Sequence, residues 1–319
     1  MNKNLQFLKK HYFKGAIKLK KLGGQTNSNW LAECRGKKFF VRIPWESGVI
    51  NRKVEGKNIL ALSRNRKVAR IVPRYFVYVL DKRNILNAND PQKYLVPDGT
   101  MVAEYIAGKE LTMEQFKKPE FQKKLAQTFV LFHQSGVRFV NPYNVFRNEI
   151  QKYRIEASKH QLEQLVDAYA VQELRALEKG ADQQIVPLKR GVSTHNDFLF
   201  QNLIVDKNHH IFIVDFEYAG LNKKGGILYD IGYFFVDHLF RTPRMTKPLF
   251  EKFLDSVDKA YKKKLNRDQI YWSTVAALLV QIWWGAMRYF SVPKKEQPYF
   301  RAYTKKRVRG ISTLVNELK

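Results

Sequence analysis

The chain has 319 residues, 45% of them hydrophobic, enough for one large domain or two lobes with their own cores. Its single cysteine, Cys34, excludes an internal disulfide framework and points to a reducing compartment, so a cytoplasmic location is expected. The formal net charge of +28 weighs against a broadly acidic surface and fits either a solvated basic surface or one that attracts anions. It raises the expectation of weak association with anionic membrane or nucleic acid, although no nucleic-acid motif accompanies it.

The start, MNKNLQFLKKHYFKG, is charged and lacks an apolar core segment, so no signal peptide is expected. Residues 16–22 read as a first strand. Gly23-Gly24-Gln25-Thr26-Asn27-Ser28-Asn29 reads as a polar turn whose glycines would let a phosphate approach the backbone. Residues 30–34 and 38–43 read as the next strands. Arg42 lies in the second of them, and Glu55 lies in a predicted helix over 52–62. A strand cation held by a helix carboxylate could be aimed at phosphates, or could equally be a surface ion pair. Further strands are expected over 72–80 and 95–106, with a polar loop over 84–90 between them. Gly108 is expected to turn the chain at a hinge between lobes.

Beyond that point the pattern becomes helical. Pro119 opens a helix with Phe121, Leu125, Phe129 and Phe132 on one face, and Gly136 closes it. A second helical region, with one or two breaks, is expected over 146–179. The run VAALLVQIWWGAMRYF, over 275–290, is apolar but carries Gln281 and Arg288. A buried helix fits it better than a membrane span.

The richest segment is 193–230. His195, Asp197 and Asn202 stand in the spacing H-x-D-x-x-x-x-N, and Asp215 follows Asn202 by thirteen residues in Asp-Phe-Glu. Residues 203–205 and 210–214 read as two strands of a hairpin that returns Asp215 to the side of Asn202. A loop carboxylate at Asp197 can orient a hydroxyl and take its proton. Two oxygen donors at Asn202 and Asp215 suit magnesium bound to phosphates. His195 would brace the loop. Phosphoryl transfer from ATP with Mg2+ to a small molecule is the chemistry these residue types serve.

In this order GGQTNSNW, VRIP, INRKVE, MVAEYIAG, NPYNVF, HNDFLFQN and VDFEYAGLN resemble the choline/ethanolamine kinase family. That family lies within the aminoglycoside phosphotransferase superfamily of protein-kinase-like folds. The resemblance runs from about Gly23 to Arg307. It implies an α+β, bilobal fold: an N-terminal antiparallel sheet lobe with one helix over 1–105, and a larger, mainly helical lobe over 106–319. It implies Asp197 as catalytic base, Asn202 and Asp215 as metal ligands, and Asp230 as a brace for the catalytic loop. Gly23, Gly24, Thr26, Asn27, Arg42 and Glu55 would serve the phosphates, and the backbone from Glu104 to Ile106 the adenine. Tyr218, Asp237, Trp284 and Tyr303 fall where the family places an alkylammonium cage. Trp283 and Trp284 are adjacent, and Met287 stands where a second tryptophan is usual.

The implied acceptor is choline or a related amino alcohol. An aminoglycoside, thiamine or a sugar would use the same chemistry. A different class of reading is a basic binding protein on a degenerate kinase scaffold, against which the presence of Asp197, Asn202 and Asp215 together weighs. Oligomeric state is not legible in the sequence.

Overall fold

The computed structural model describes residues 3–23, 27–45, 50–160, 162, 165–240 and 244–318. They form a mixed α+β protein with an antiparallel sheet in the N-terminal region and a larger helical C-terminal part. Packing divides the chain into two compact units, and neither is a single stretch of sequence.

The first unit comprises residues 1–111, 131–141 and 201–219. Its main sheet has six strands, in the order Lys18–Gly23, Asn27–Cys34, Lys37–Pro44, Met101–Glu104, Tyr75–Leu80 and Arg83–Asn84. Every neighbouring pair is antiparallel. Side chains alternate across a strand with period two. Val41 and Ile43 therefore join the core with Ala32, Val77, Val79 and Val102, where Leu5 and Leu8 of the helix Lys3–Leu8 also pack. Arg42, between them, points to the opposite face and meets Glu55 of the helix Arg52–Arg64. Asn51 caps that helix by accepting a hydrogen bond from the Val54 amide. Gly56 brings it close to the sheet, since a Cβ there would lie 2.7 Å from the Tyr78 ring.

A second sheet of this unit pairs Ile211–Ile213, Leu203–Asp206 and Gly108–Glu110. This pairing is why the hairpin belongs with the first unit, where the sequence suggested two consecutive lobes split at 105/106. Gly108 is the start of a strand rather than a turn. It packs so closely that a Cβ would lie 2.3 Å from the Val205 carbonyl oxygen.

Three expected boundaries move. The strand expected over 95–106 shrinks to Met101–Glu104, because the Thr100 amide folds back on the Pro97 carbonyl and Gly99 has a φ of +85°. The strand expected from 72 begins at Tyr75, two residues after Pro73, which has no N–H to give a ladder. Of the polar turn expected over 23–29, Gly23 belongs to the first strand and Asn27 to Asn29 to the second, where Asn27 pairs with Pro44. Gly24 and Thr26, named above as phosphate contacts, lie outside the described residues.

The second unit comprises residues 112–130, 142–200 and 220–319. Its sheet joins Pro142–Tyr143 in parallel, and Pro187–Thr194 in antiparallel, to Gly220–Lys224. The rest is helical and organised on Arg267–Ser291. That helix is long and apolar enough to cross a membrane by composition, yet 83% of its apolar window is buried inside the protein. Helices Gln151–Ala157, Ala168–Gln184, Ile227–Leu239 and Gln297–Leu318 pack around it. Among the described residues, the region expected to be helical over 146–179 is helical over 146–157 and again from Ala168. Helix crossings are tight: a Cβ on Gly232 would fall 2.6 Å from the Thr274 amide nitrogen. Trp283 is fully buried in this core.

Candidate active site

In the first unit Arg42, Glu55 and Asn27, the residues expected to serve the phosphates, belong to one charge network. Arg42 donates to Glu55 Oε1 at 2.5 Å, and Tyr78 donates to Glu55 Oε2 at 2.7 Å. Arg52, which the sequence reading missed, contacts Glu55 Oε2 at 2.9 Å and Glu217 Oε2 at 3.4 Å. It also donates to Asn27 Oδ1 at 2.7 Å, and Asn27 donates in turn to Glu217 at 3.3 Å. The i, i+3 spacing of Arg52 and Glu55 was the one available signal for this residue. The Glu217 link joins segments 190 positions apart and left no local trace.

Burial favours the neutral form of Glu55, but Arg42 and Arg52 outweigh it and hold its carboxyl below the usual range. Burial likewise works against the Arg42 charge, and Glu55 first among its neighbours reverses this and raises it. Glu217 goes the other way, pushed up to about 7 by burial and by the neighbouring Asp215, against the pull of Arg42.

The hairpin does what its spacing suggested. Leu203 pairs with Ile213, and the Val214 amide donates to the Asn202 carbonyl at 2.9 Å. Asn202 is buried, whereas the Asp215 side chain is 42% exposed with Arg42 Nη1 3.8 Å away. Asp215 has a φ of +64°, a left-handed conformation rarely held by a non-glycine residue without tertiary support. Both candidate metal ligands thus offer oxygen from adjoining positions of one hairpin. Among the described residues there is no cluster of three or more His, Cys, Asp or Glu able to hold a metal. That donor set fits magnesium, which completes its shell with phosphate and water oxygens rather than with a protein cage.

Gly23 has a φ of +92° and open space around it. Glu104 and Tyr105 donate their amides to the Arg74 and Lys38 carbonyls, and the Ile106 carbonyl accepts from Gly108. Any adenine edge read by Glu104 to Ile106 would use groups other than these. Tyr218 also belongs to this unit, on the turn Phe216–Tyr218. Its neighbour Ala219 is fixed through its carbonyl, which accepts from Asn58 and Asn141.

The second unit carries Asp197. Asp230, fully buried at the start of Ile227–Leu239, accepts from the His195 amide at 2.9 Å and the Asn196 amide at 2.7 Å. A carboxylate taking two backbone N–H groups fixes the loop. Asn196 sits at a φ of +65° and accepts from the Thr194 hydroxyl at 2.6 Å. The Asp197 amide donates to His195 Nδ1 at 3.3 Å, so that nitrogen is the unprotonated one. His195 therefore orients the loop, and Asp197 is left half-buried at its tip.

Close by lies Glu149, missed in the sequence and buried on the helical segment Phe146–Ile150. Burial pushes its carboxyl up to about 8, against the Tyr143 hydrogen bond and with a contribution from Asp197.

Asp237, Trp284 and Tyr303 come together in this unit. Trp284 and Tyr303 meet edge to face with ring centroids 5.5 Å apart. Tyr303 is raised above the ordinary tyrosine range by burial, against the opposing charge of Arg307 and with additions from Asp237 and, more weakly, Asp197. The cluster therefore lies within electrostatic reach of the candidate base. Arg307, which the sequence reading did not pick out, lies 3.9 Å from Asp237 Oδ1.

The family profile described as choline/ethanolamine kinase matches residues 76–271, more than half of the chain. The chain belongs to the choline/ethanolamine kinase family. The protein is accordingly a small-molecule kinase, a phosphotransferase. A curated relative, Protein LicA of Haemophilus influenzae, is 23% identical over 266 residues, spanning 82% of this chain and 68% of the relative.

Among solved structures, the choline kinase LicA from Streptococcus pneumoniae has a TM-score of 0.71 at 19% identity, covering 98% of each chain. The Plasmodium vivax ethanolamine kinase has a TM-score of 0.72 at 17% identity, covering 98% of this chain and 89% of that one. At these identities the likeness speaks for the fold.

Proposed function

We propose that this kinase transfers the γ-phosphoryl group of ATP to the hydroxyl of choline or a related amino alcohol. The observation that carries the reading is the Asp197 loop, pinned by Asp230 and braced by His195, on the unit that also holds Trp284, Tyr303 and Asp237. Asp197 would orient the acceptor hydroxyl and accept its proton as the new P–O bond forms. Asn202 and Asp215 would hold Mg2+, which supplies charge compensation at the phosphates when bound. Arg42, kept in place by Glu55, would offer its guanidinium to the same phosphates, with Asn27 on the adjacent strand and Gly23 at the end of the next. Trp284 and Tyr303 would present aromatic faces, and Asp237 a carboxylate, to the alkylammonium head.

An ATP-consumption screen over choline, ethanolamine, thiamine and an aminoglycoside tests the acceptor. Turnover with choline or ethanolamine is expected. Turnover confined to one of the others would remove the amino-alcohol reading and leave the kinase standing. Each cation–π contact contributes on the order of 0.5–2 kcal/mol. Trp284→Ala should therefore raise the choline KM by roughly 2- to 30-fold and change the ATP KM little, in steady-state kinetics.

The basic surface is read as a weak docking face for anionic membrane. Lysines such as Lys18, Lys20 and Lys21 are exposed on an edge strand. Flotation with anionic vesicles should show binding that falls steeply between low and physiological salt. Absence of binding at low salt would leave a merely solvated surface, and binding only to RNA in a parallel filter assay would redirect the assignment.

A further inference from the structure

A site for a fixed positive charge needs an aromatic face and a carboxylate. In the second unit both are already turned toward a cation of the protein itself. The Arg307 guanidinium lies over the Tyr303 ring, 3.3 Å from its centroid. Its Nη2 is 3.9 Å from Asp237 Oδ1. It is anchored there: Nε donates to Gln281 Oε1 at 2.6 Å, Nη1 donates to the Tyr303 carbonyl at 3.4 Å, and Phe240 lies 5.1 Å away. Arg307 is only 6% exposed and Asp237 only 5%. The arrangement follows from helix geometry, because Tyr303 and Arg307 are i and i+4 on Gln297–Leu318 and lie one above the other.

We propose that Arg307 is a specificity-determining residue, an internal cation that weakens the acceptor site's hold on positively charged head groups. The Asp237–Arg307 pair is formally neutral. One face of Tyr303 is spent on the guanidinium. An acceptor ammonium then gains little from net charge and must be selected by shape and by the remaining aromatic surface. The kinase would in this way keep a high KM for a quaternary ammonium and admit other amino alcohols with little discrimination. This rests on the amino-alcohol reading above, and it adds a residue that acts through the charge of the site.

The test is calorimetric titration with tetramethylammonium, which has no hydroxyl and so reports binding without turnover. Arg307→Met fills the volume of the arginine stem and removes the charge. Its tetramethylammonium affinity should rise about tenfold, the order expected for losing one like charge at close range in a partly buried site. Arg307→Lys keeps the charge, and its affinity should stay within about threefold of wild type. Guanidinium ion added to Arg307→Ala should compete with tetramethylammonium, and in wild type it should not.

Unchanged or weaker affinity in folded Arg307→Met overturns the proposal, as does no binding to wild type and Arg307→Met alike. Should Arg307→Met not fold, a tenfold gain in Arg307→Lys would overturn it, because the charge is still present. Failure of the acceptor reading shows elsewhere, as absence of choline and ethanolamine turnover in the wild-type screen.

Discussion

Asp197→Asn is expected to lower kcat by roughly 10²- to 10⁴-fold, the usual worth of a positioned general base, while nucleotide affinity stays nearly intact. The substitution preserves shape, and the main-chain bonds of the loop remain, including the Asp197 amide to His195 and the Asp230 carboxylate to the His195 and Asn196 amides. Only the proton acceptor is lost. Asp215→Ala should behave differently. It removes a candidate metal ligand, so magnesium-dependent binding of a non-hydrolysable ATP analogue should weaken by at least about tenfold along with turnover. Calorimetry with and without magnesium separates the two variants. Equal loss of nucleotide binding in both would sink this division of roles.

The second large effect concerns stability. Glu55 is buried and holds Arg42, Arg52 and the Tyr78 hydroxyl. Glu55→Ala leaves a buried guanidinium without its nearest counter-charge. Breaking such a pair from one side costs about 3–5 kcal/mol, far more than the intact pair contributes over an apolar one. Thermal denaturation should show the loss, and the Arg42→Met, Glu55→Ala double variant should recover a substantial part of it. A double variant as unstable as the sum of the singles would mean that the two residues do not act as a pair.

The pH dependence has a definite sign. The Glu55 carboxyl sits below its ordinary value of 4.5 in the folded state. Its stabilising contribution is therefore complete above that value, present at neutral pH, and withdrawn as the pH falls below it toward the folded-state pKa.

Both effects start from residues that could be picked out of the sequence, though unequally. The loop residues His195, Asp197 and Asn202 and the hairpin that returns Asp215 are local features. Their spacing, and the apolar strands between them, required no knowledge of the rest of the chain. The same holds for the helix opened by Pro119 and for the strand that carries Arg42 between Val41 and Ile43. Alternation with period two puts Arg42 on the other face from its neighbours whatever the sheet does next.

The sequence by itself thus determined the residue types of the candidate site and their local setting: oxygen donors at 202 and 215, a carboxylate on a loop at 197, a cation in a strand at 42, and strands followed by helices. Tertiary structure decided who meets whom. Arg52 could be seen as a partner of Glu55, three positions away, but its link to Glu217 spans 165 positions. Glu149 reads as an ordinary surface acid until helix packing buries it beside Tyr143. The strand expected over 95–106 shrank to Met101–Glu104, its first half replaced by a turn at Pro97 and Gly99, since a tertiary turn can override strand-forming residues. Arg307 reads as one of a basic run, Lys305 to Arg309; its place over Tyr303 is an i, i+4 feature of one helix, but only the packing of Gln297–Leu318 against other helices sets it beside Gln281 and Asp237. Local spacing encodes elements and motifs because those depend on neighbours along the chain. Charge partners and burial depend on neighbours across it, and these only the packed fold supplies.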